Sequence, residues 1–187
     1  LCYVTLENKN LSHLPVYLLS EEQMSRYAIY MATLGNRPDL FPGSEYVGKY
    51  TETPEGYEVP REYLDDETFA AILSEAEKYI GYPYVWGGSN PSTSFDCSGY
   101  VSWVINHSGW NVGRLGAQGL YNICTPTSNP QPGDLVFFKG TYDTPGVSHC
   151  GIYVGDGRML HCGDPIGYAN LNTSYWQSHF YAYGRLP

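Results

Sequence analysis

The chain has 187 residues, of which 42% are hydrophobic, enough for one medium-sized domain or a small domain with an extension. Its formal net charge is −9 and its Lys and Arg residues form no cluster, which argues against direct binding to nucleic acid or to an anionic membrane. No run of about 18 apolar residues predicts a membrane span, and the odd number of cysteines, five, is atypical of a disulfide scaffold.

The first predicted element is a helix over residues 21–34. Ser20 and Gln23 form a capping box before an apolar stripe. The segment that follows is rich in Pro, Gly, Glu and Tyr, which is typical of irregular structure. We therefore expect an N-terminal extension over residues 1–64, and we expect its helix to dock on a domain formed by residues 65–187.

A second helix is predicted at about residues 67–80. Asp65 or Asp66 provides its N-cap and Gly81 ends it. Apolar residues at helical spacing form its expected buried face: Phe69, Ile72, Leu73, Ala76 and Ile80.

A third helix is predicted to begin at Cys97, after Asp96 as its N-cap, and to end near Gly109. Unpaired backbone N–H groups and the positive end of the helix dipole both stabilise a thiolate in the first turn. An isolated cysteine of this kind is more often a small buried hydrophobe. A catalytic role therefore depends on what the rest of the chain brings near Cys97.

The C-terminal half predicts short strands at residues 135–138, 147–154 and 158–162, followed by a closing strand within residues 178–185. Gly and Asp turns separate them. Helices followed by an antiparallel meander indicate an α+β fold with the helices packed on one face of the sheet.

Two histidines on neighbouring strands are candidate partners for Cys97. If the hairpin loop has three residues, Val154 pairs with Arg158, and His149 and His161 become diagonal neighbours on one face. A two-residue loop would place them on opposite faces. A helix packed by its N-terminus on that face would make Cys97 a nucleophile, His149 its general base and His161 the residue that orients His149.

Five ordered motifs resemble the NlpC/P60 family of cysteine peptidases: Tyr84-Val85-Trp86-Gly87-Gly88, Phe95-Asp96-Cys97-Ser98-Gly99, the segment Pro132 to Phe138, Val147-Ser148-His149 before Gly151-Ile152-Tyr153, and His161. The resemblance runs from about residue 67 to the C-terminus. It implies a papain-like α+β fold and cleavage of peptide bonds in bacterial peptidoglycan stems, typically the D-γ-glutamyl–diamino acid bond. The whole chain also resembles the C-terminal part of cell-wall hydrolases of conjugative mobile elements.

The same resemblance implies catalytic roles for Cys97, His149 and His161. It implies that Asp96 and Ser98 bind the free amino terminus of the stem peptide. The further residues that it places in substrate binding are Tyr84, Trp86, Arg114 and Gln118. It also implies an extracellular or cell-wall location, with any anchor upstream of this segment, a peptidoglycan stem peptide as partner, a monomer, and no cofactor.

Alternatives remain at this stage. An amidase or acyltransferase would use the same Cys–His pair, and a wall-binding module would use the groove without catalysis. A zinc site built from His149, Cys150, His161 and Cys162 is disfavoured, because adjacent strand residues diverge whereas zinc ligands must converge. We expect Cys150 and Cys162 to face away from the site and to pack in the core.

Overall fold

The structure, a computed structural model, describes residues 57–187. The helix predicted over 21–34 and its docking lie outside these residues. Within the described part, no helix is long and apolar enough to cross a bilayer. The helices are α1 (Glu67–Glu77), α2 (Cys97–Asn106), α3 (Ala117–Ile123) and α4 (Ser174–His179), and a 3₁₀ turn covers Arg61–Asp65. The strands are β1 (Ser89–Asn90), β2 (Ser94–Phe95), β3 (Thr125–Thr127), β4 (Leu135–Lys139), β5 (Val147–Gly155), β6 (Arg158–Cys162), β7 (Ile166–Asn170) and β8 (Phe180–Arg185).

Helix α1 begins where the sequence predicts it. The Asp66 carboxylate accepts hydrogen bonds from the backbone N–H groups of Thr68 (2.9 Å) and Phe69 (3.1 Å), which caps the first turn. The helix ends at Glu77, earlier than predicted. Ile80 therefore lies beyond the end of the helix and is 40% exposed, so its predicted burial is wrong. The other four residues of the predicted buried face are buried.

A six-stranded sheet in the order β3-β8-β4-β5-β6-β7 forms the centre of the domain, and all of its pairs are antiparallel. The three predicted central strands correspond to β4, β5 and β6. The predicted closing strand is β8, which pairs with both β3 and β4. The α+β fold class is therefore confirmed.

Six helices and strands of residues 57–187 were not predicted. They are α3, α4, β1, β2, β3 and β7, in segments whose sequence is typical of a loop, a polar connection or a tail. Strand β7 lies beside cis-Pro165 and contains Gly167, and both residue types argue against a strand from sequence alone. Helix α3 begins after Gly116 without a side-chain cap and buries only Ala117 and Leu120, so it carries a weak helical pattern.

The hairpin between β5 and β6 places both histidines on one face, although its loop differs from the predicted one. Gly155 pairs with Arg158, so the loop has two residues rather than three. A bulge between Tyr153 and Gly155 compensates for the missing loop residue, and Ile152 pairs with Leu160 as the three-residue loop predicted. The predicted loop length is wrong, but the predicted register at the histidines is right.

Two hydrophobic clusters cover the two faces of the sheet. The larger cluster joins α1 and α2 to sheet residues that include Cys150 and Cys162. The smaller cluster on the other face contains Phe138 and Met159. The His149 ring lies beside Phe138, with the ring centroids 5.9 Å apart. The expectation that α2 packs on the histidine face is therefore wrong, since α2 packs on the opposite one.

Candidate active site

Cys97 is the first residue of α2 and is 5% exposed. The backbone N–H of Gly99 donates to Asp96 Oδ1 at 2.7 Å, so Asp96 is the N-cap that the sequence predicts. The helix ends at Asn106, before the predicted Gly109. The sulfur therefore lies at the positive end of a ten-residue helix.

The Cys97 sulfur contacts both Cys150 and His149 at the start of β5. The pKa of the Cys97 thiol is held well below its usual range, first because the Cys150 thiol donates a hydrogen bond to the sulfur. The charge and hydrogen bond of His149 and the backbone N–H of Cys150 act in the same direction, whereas burial opposes them. These contacts favour the thiolate form of Cys97. Cys150 is buried in the core, as predicted, but the expectation that it faces away from the site is wrong, because its thiol lies beside the Cys97 sulfur.

The sheet is irregular near His149, where Cys97 contacts residues from both faces of β5. The pairing between β4 and β5 shifts register after Phe138, which lies opposite His149. Bulges of this kind re-aim nearby side chains. Cys97 thus contacts Cys150 on the sheet face that α2 covers, and it also reaches His149 near the first residues of β5.

His161 is positioned to orient His149. His149 Nε2 and His161 Nδ1 are 2.9 Å apart. His161 is 9% exposed, and burial and then the neighbouring His149 lower the pKa of its imidazole well below the usual range. When His149 carries both ring protons, it donates from Nε2 to the unprotonated Nδ1 of His161, and its Nδ1–H is left to face the Cys97 sulfur.

Trp176, from the short helix α4, contacts both histidine rings and was not singled out from the sequence. Its indole stacks on His149 with centroids 5.4 Å apart and meets His161 edge-on at 5.2 Å. The Thr173 hydroxyl accepts from the backbone N–H of Trp176 and caps α4. Thr173, a residue type that favours the N-cap position, was the local signal for this helix.

Asp96 and Ser98 lie in a network with Arg114. Asp96 Oδ2 pairs with Arg114 Nη2 at 2.6 Å and accepts from the Gly87 backbone N–H at 3.1 Å. Oδ1 accepts from the Gly99 backbone and from Ser98 Oγ, and Arg114 Nη1 donates to Ser98 Oγ at 2.9 Å.

Burial, and then the charge of Cys97, raise the pKa of the Asp96 carboxyl, while the Gly99 N–H, Arg114 and Ser98 lower it. Each oxygen of this carboxylate already has two donors. A substrate ammonium group would have to compete with Arg114 for Asp96. The Arg114 side chain is 37% exposed, so its guanidinium provides a partly accessible positive charge near the nucleophile.

Gln118 tethers α3 to the strand that carries His149. Its Oε1 accepts from the buried backbone N–H of Val147 at 2.9 Å, and its Nε2 donates to Asn122 Oδ1 at 2.9 Å. Both ends of the amide are thus used within the protein. These bonds assign Gln118 a structural contact that the sequence reasoning, which placed it in substrate binding, did not foresee.

Aromatic side chains surround the nucleophile. Tyr84 is half-buried, and the pKa of its hydroxyl is raised by burial and then by the charges of Cys97 and Asp96. Trp86 is 41% exposed and meets the 43% exposed Tyr142 edge-on at 5.2 Å. Burial and then Cys97 raise the pKa of Tyr142, which places this unforeseen residue near the site as well.

Cys162, the last residue of β6, lies close to this site. Cys162 Sγ donates to the Phe95 carbonyl at 3.2 Å. Among residues 57–187, no group of three or more His, Cys, Asp or Glu side chains is arranged to hold a metal ion.

The sequence of this chain is similar to those of known proteins. The sequence profile of the NlpC/P60 family matches residues 81–185. The chain is 44% identical over 121 residues to the bifunctional muramidase/DL-endopeptidase CwlT of Bacillus subtilis (strain 168), which is 63% of this chain and 36% of that protein. It is 43% identical over 112 residues to the gamma-DL-glutamyl hydrolase of the same organism, which is 57% of this chain and 27% of that protein. The chain thus spans about a third of these relatives or less.

A solved structure extends the likeness to the fold. It is the crystal structure of an NLP/P60 family protein, described as similar to lipoprotein, from Staphylococcus aureus subsp. aureus Mu50. Its TM-score is 0.62 at 32% sequence identity, and the alignment covers 90% of this chain and 62% of that one.

Proposed function

Because the chain belongs to the NlpC/P60 family, we propose that it is a cysteine endopeptidase that hydrolyses the D-γ-glutamyl–diamino acid bond of peptidoglycan stem peptides. One observation carries the proposal: the Cys97 sulfur contacts His149, whose far ring nitrogen lies 2.9 Å from His161. Relatives named DL-endopeptidase and gamma-DL-glutamyl hydrolase support the choice of substrate.

The mechanism follows from the placement of these groups. The Cys97 thiolate attacks the scissile carbonyl, and the backbone N–H of Cys97 at the helix N-terminus donates to the developing oxyanion. His149 protonates the leaving amine, which leaves an acyl-enzyme. His149 then removes a proton from water, and the resulting attack releases the glutamyl carboxylate. His161 holds the His149 ring throughout.

The charge around the nucleophile supports a γ-glutamyl substrate. A glutamate that is linked through its γ-carboxyl carries its α-carboxyl group as a free carboxylate. Arg114 is 37% exposed beside Asp96 and Ser98, and a guanidinium binds carboxylates through paired hydrogen bonds. We therefore assign Arg114 to recognition of the α-carboxylate. Asp96 then serves as N-cap and as partner of Arg114, rather than as the ammonium site implied by the resemblance.

The side chains of Tyr84, Trp86 and Tyr142 provide apolar surface near the nucleophile, suited to the hydrocarbon parts of a peptide. The substrate places the protein outside the membrane, at the cell wall. The reaction needs no cofactor, since the thiolate, the imidazole and water supply all the groups that it uses.

Product analysis tests the function. The protein is incubated with purified muropeptides, and the fragments are identified by mass spectrometry. Endopeptidase activity creates a new D-glutamate carboxyl terminus, whereas an amidase would release the stem at its lactyl end. Separate digests of walls with diaminopimelate and with lysine would define the diamino acid.

The control is Cys97→Ala. It is expected to release no fragments while retaining the thermal unfolding transition of the wild type. Release of fragments by this variant would overturn the assignment of the nucleophile, and an intact D-glutamyl bond after complete digestion by the wild type would overturn the assignment of the bond.

A further inference from the structure

Three buried cysteines converge below the N-terminus of α2. Cys97, Cys150 and Cys162 belong to the same hydrophobic cluster. The register of β5 and β6 pairs Ile152 with Leu160, and two residues further along it brings Cys150 opposite Cys162. Residues two apart on a strand share a face, so both thiols point towards α2.

The three sulfurs have different contacts. Cys162 donates to the Phe95 carbonyl at 3.2 Å and is thus engaged with the backbone. Cys150 instead points towards α2 within the buried cluster that contains Cys97, and its thiol and backbone N–H lie within hydrogen-bonding reach of the Cys97 sulfur. In the hydrolytic mechanism Cys150 only donates hydrogen bonds to the Cys97 sulfur, and no covalent step uses its thiol.

We propose that Cys97 and Cys150 form a site of reversible oxidation, at which peroxide converts the two thiols into a disulfide. The site goes beyond the proposed hydrolysis. Bond formation depends only on the contact between the two sulfurs, and only its consequence for activity rests on Cys97 being the nucleophile.

The chemistry has two steps. The Cys97 thiolate attacks one oxygen of a peroxide such as hydrogen peroxide, the O–O bond breaks, and Cys97 becomes a sulfenic acid as hydroxide leaves. The Cys150 sulfur then attacks the Cys97 sulfur, the S–O bond breaks, and the departing hydroxide takes the Cys150 proton to form water. The peroxide is reduced by two electrons, and the two thiols supply them.

The neighbouring Cys150 decides the fate of the oxidised nucleophile. A sulfenic acid without a nearby thiol reacts with further peroxide to sulfinic acid, which thiol reductants do not reverse. A disulfide to Cys150 stops this progression, and a reductant restores both thiols. The pair therefore switches off the nucleophile without destroying it.

The experiment compares the wild type with Cys150→Val and with Cys162→Val as a matched control. Each protein is treated with hydrogen peroxide, its remaining thiols are alkylated, and intact masses and digested peptides are measured before and after dithiothreitol. The wild type and Cys162→Val are expected to lose two hydrogen atoms, to yield a Cys97–Cys150 cross-linked peptide, and to recover both thiols. Cys150→Val is expected to gain two oxygen atoms at Cys97 and to lose recovery.

Sulfinic acid at Cys97 in the wild type, with no cross-linked peptide, would overturn the proposal, as would a bond from either cysteine to Cys162. The wild-type masses alone are decisive if Cys150→Val fails to fold. Because the readout is the state of the thiols, a failure here is separate from a failure of the proposed peptidase activity, which is measured on muropeptides.

Discussion

Replacement of Gln118 by Leu tests whether this side chain positions the strand that carries His149. Gln118 Oε1 is the acceptor for the backbone N–H of Val147, a residue that is 4% exposed and lies two positions before His149. Leu has a similar size but no acceptor. The substitution leaves a buried N–H unsatisfied, which costs about 1–3 kcal/mol of unfolding free energy.

The same loss is expected to affect catalysis. If the start of β5 shifts by a fraction of an ångström, the His149 ring moves relative to Cys97, and such misplacement lowers kcat by up to roughly 100-fold. Gln118→Glu keeps the acceptor and should retain most of both the stability and kcat. Asn122→Ala removes only the second partner of the amide and is the matched control, with a small expected effect on either quantity.

Urea unfolding and steady-state kinetics on a defined muropeptide measure these effects separately. A positioning role predicts a lower kcat with KM nearly unchanged in Gln118→Leu. A raised KM with normal kcat and normal stability would refute the reasoning, because it would indicate that Gln118 binds substrate.

Three further substitutions are predicted to act on the site. Trp176→Leu removes the ring stacked on His149 and should lower kcat about 2- to 10-fold, the value of an aromatic contact. His161→Ala removes the acceptor for His149 and should lower kcat by about 10- to 100-fold, as loss of an orienting partner does elsewhere, with partial rescue in His161→Asn. Arg114→Ala should raise KM for a muropeptide with a free α-carboxylate on D-glutamate more than for the α-carboxamide.

Each of these predictions has a clear contrary result. Trp176→Leu with wild-type kcat would show that the indole only packs against the rings. Equal activities of His161→Ala and His161→Asn would exclude orientation through an accepting atom. Equal KM increases for the carboxylate and the carboxamide in Arg114→Ala would mean that Arg114 supports Asp96 without touching the substrate.

The elements nearest the nucleophile could be predicted from the sequence because their signals are local. Asp96 before an apolar helical run identifies a capped helix, and alternating residues identify β5 and β6. The placement of the two histidines as diagonal neighbours on one face could also be predicted, although from a loop of the wrong length. The bulge after Tyr153 offset that error, and nothing in a local pattern announces it.

The contacts that depend on tertiary structure could not be predicted. Cys150 follows the strand alternation and points towards the core, but the core at that point contains the sulfur of Cys97. Gln118 lies on a helix that buries only two residues, so neither the helix nor its bond to Val147 has a periodic signature. Trp176 reaches the histidines from a segment that read as tail, because only the fold brings α4 beside them.

The rate of Cys97 alkylation as a function of pH measures whether His149 and Cys150 hold Cys97 as a thiolate. Iodoacetamide labelling is followed at individual cysteines by peptide mass spectrometry, with Cys124 as the internal reference, since burial raises the pKa of its thiol to about 12. Cys97 is expected to react at a constant rate through neutral pH and to slow only in acid, while Cys124 is expected to react only in strong base. His149→Ala should move the Cys97 profile upward in pH. A wild-type Cys97 that gains reactivity only near pH ~8.5, as an ordinary thiol does, would contradict the account.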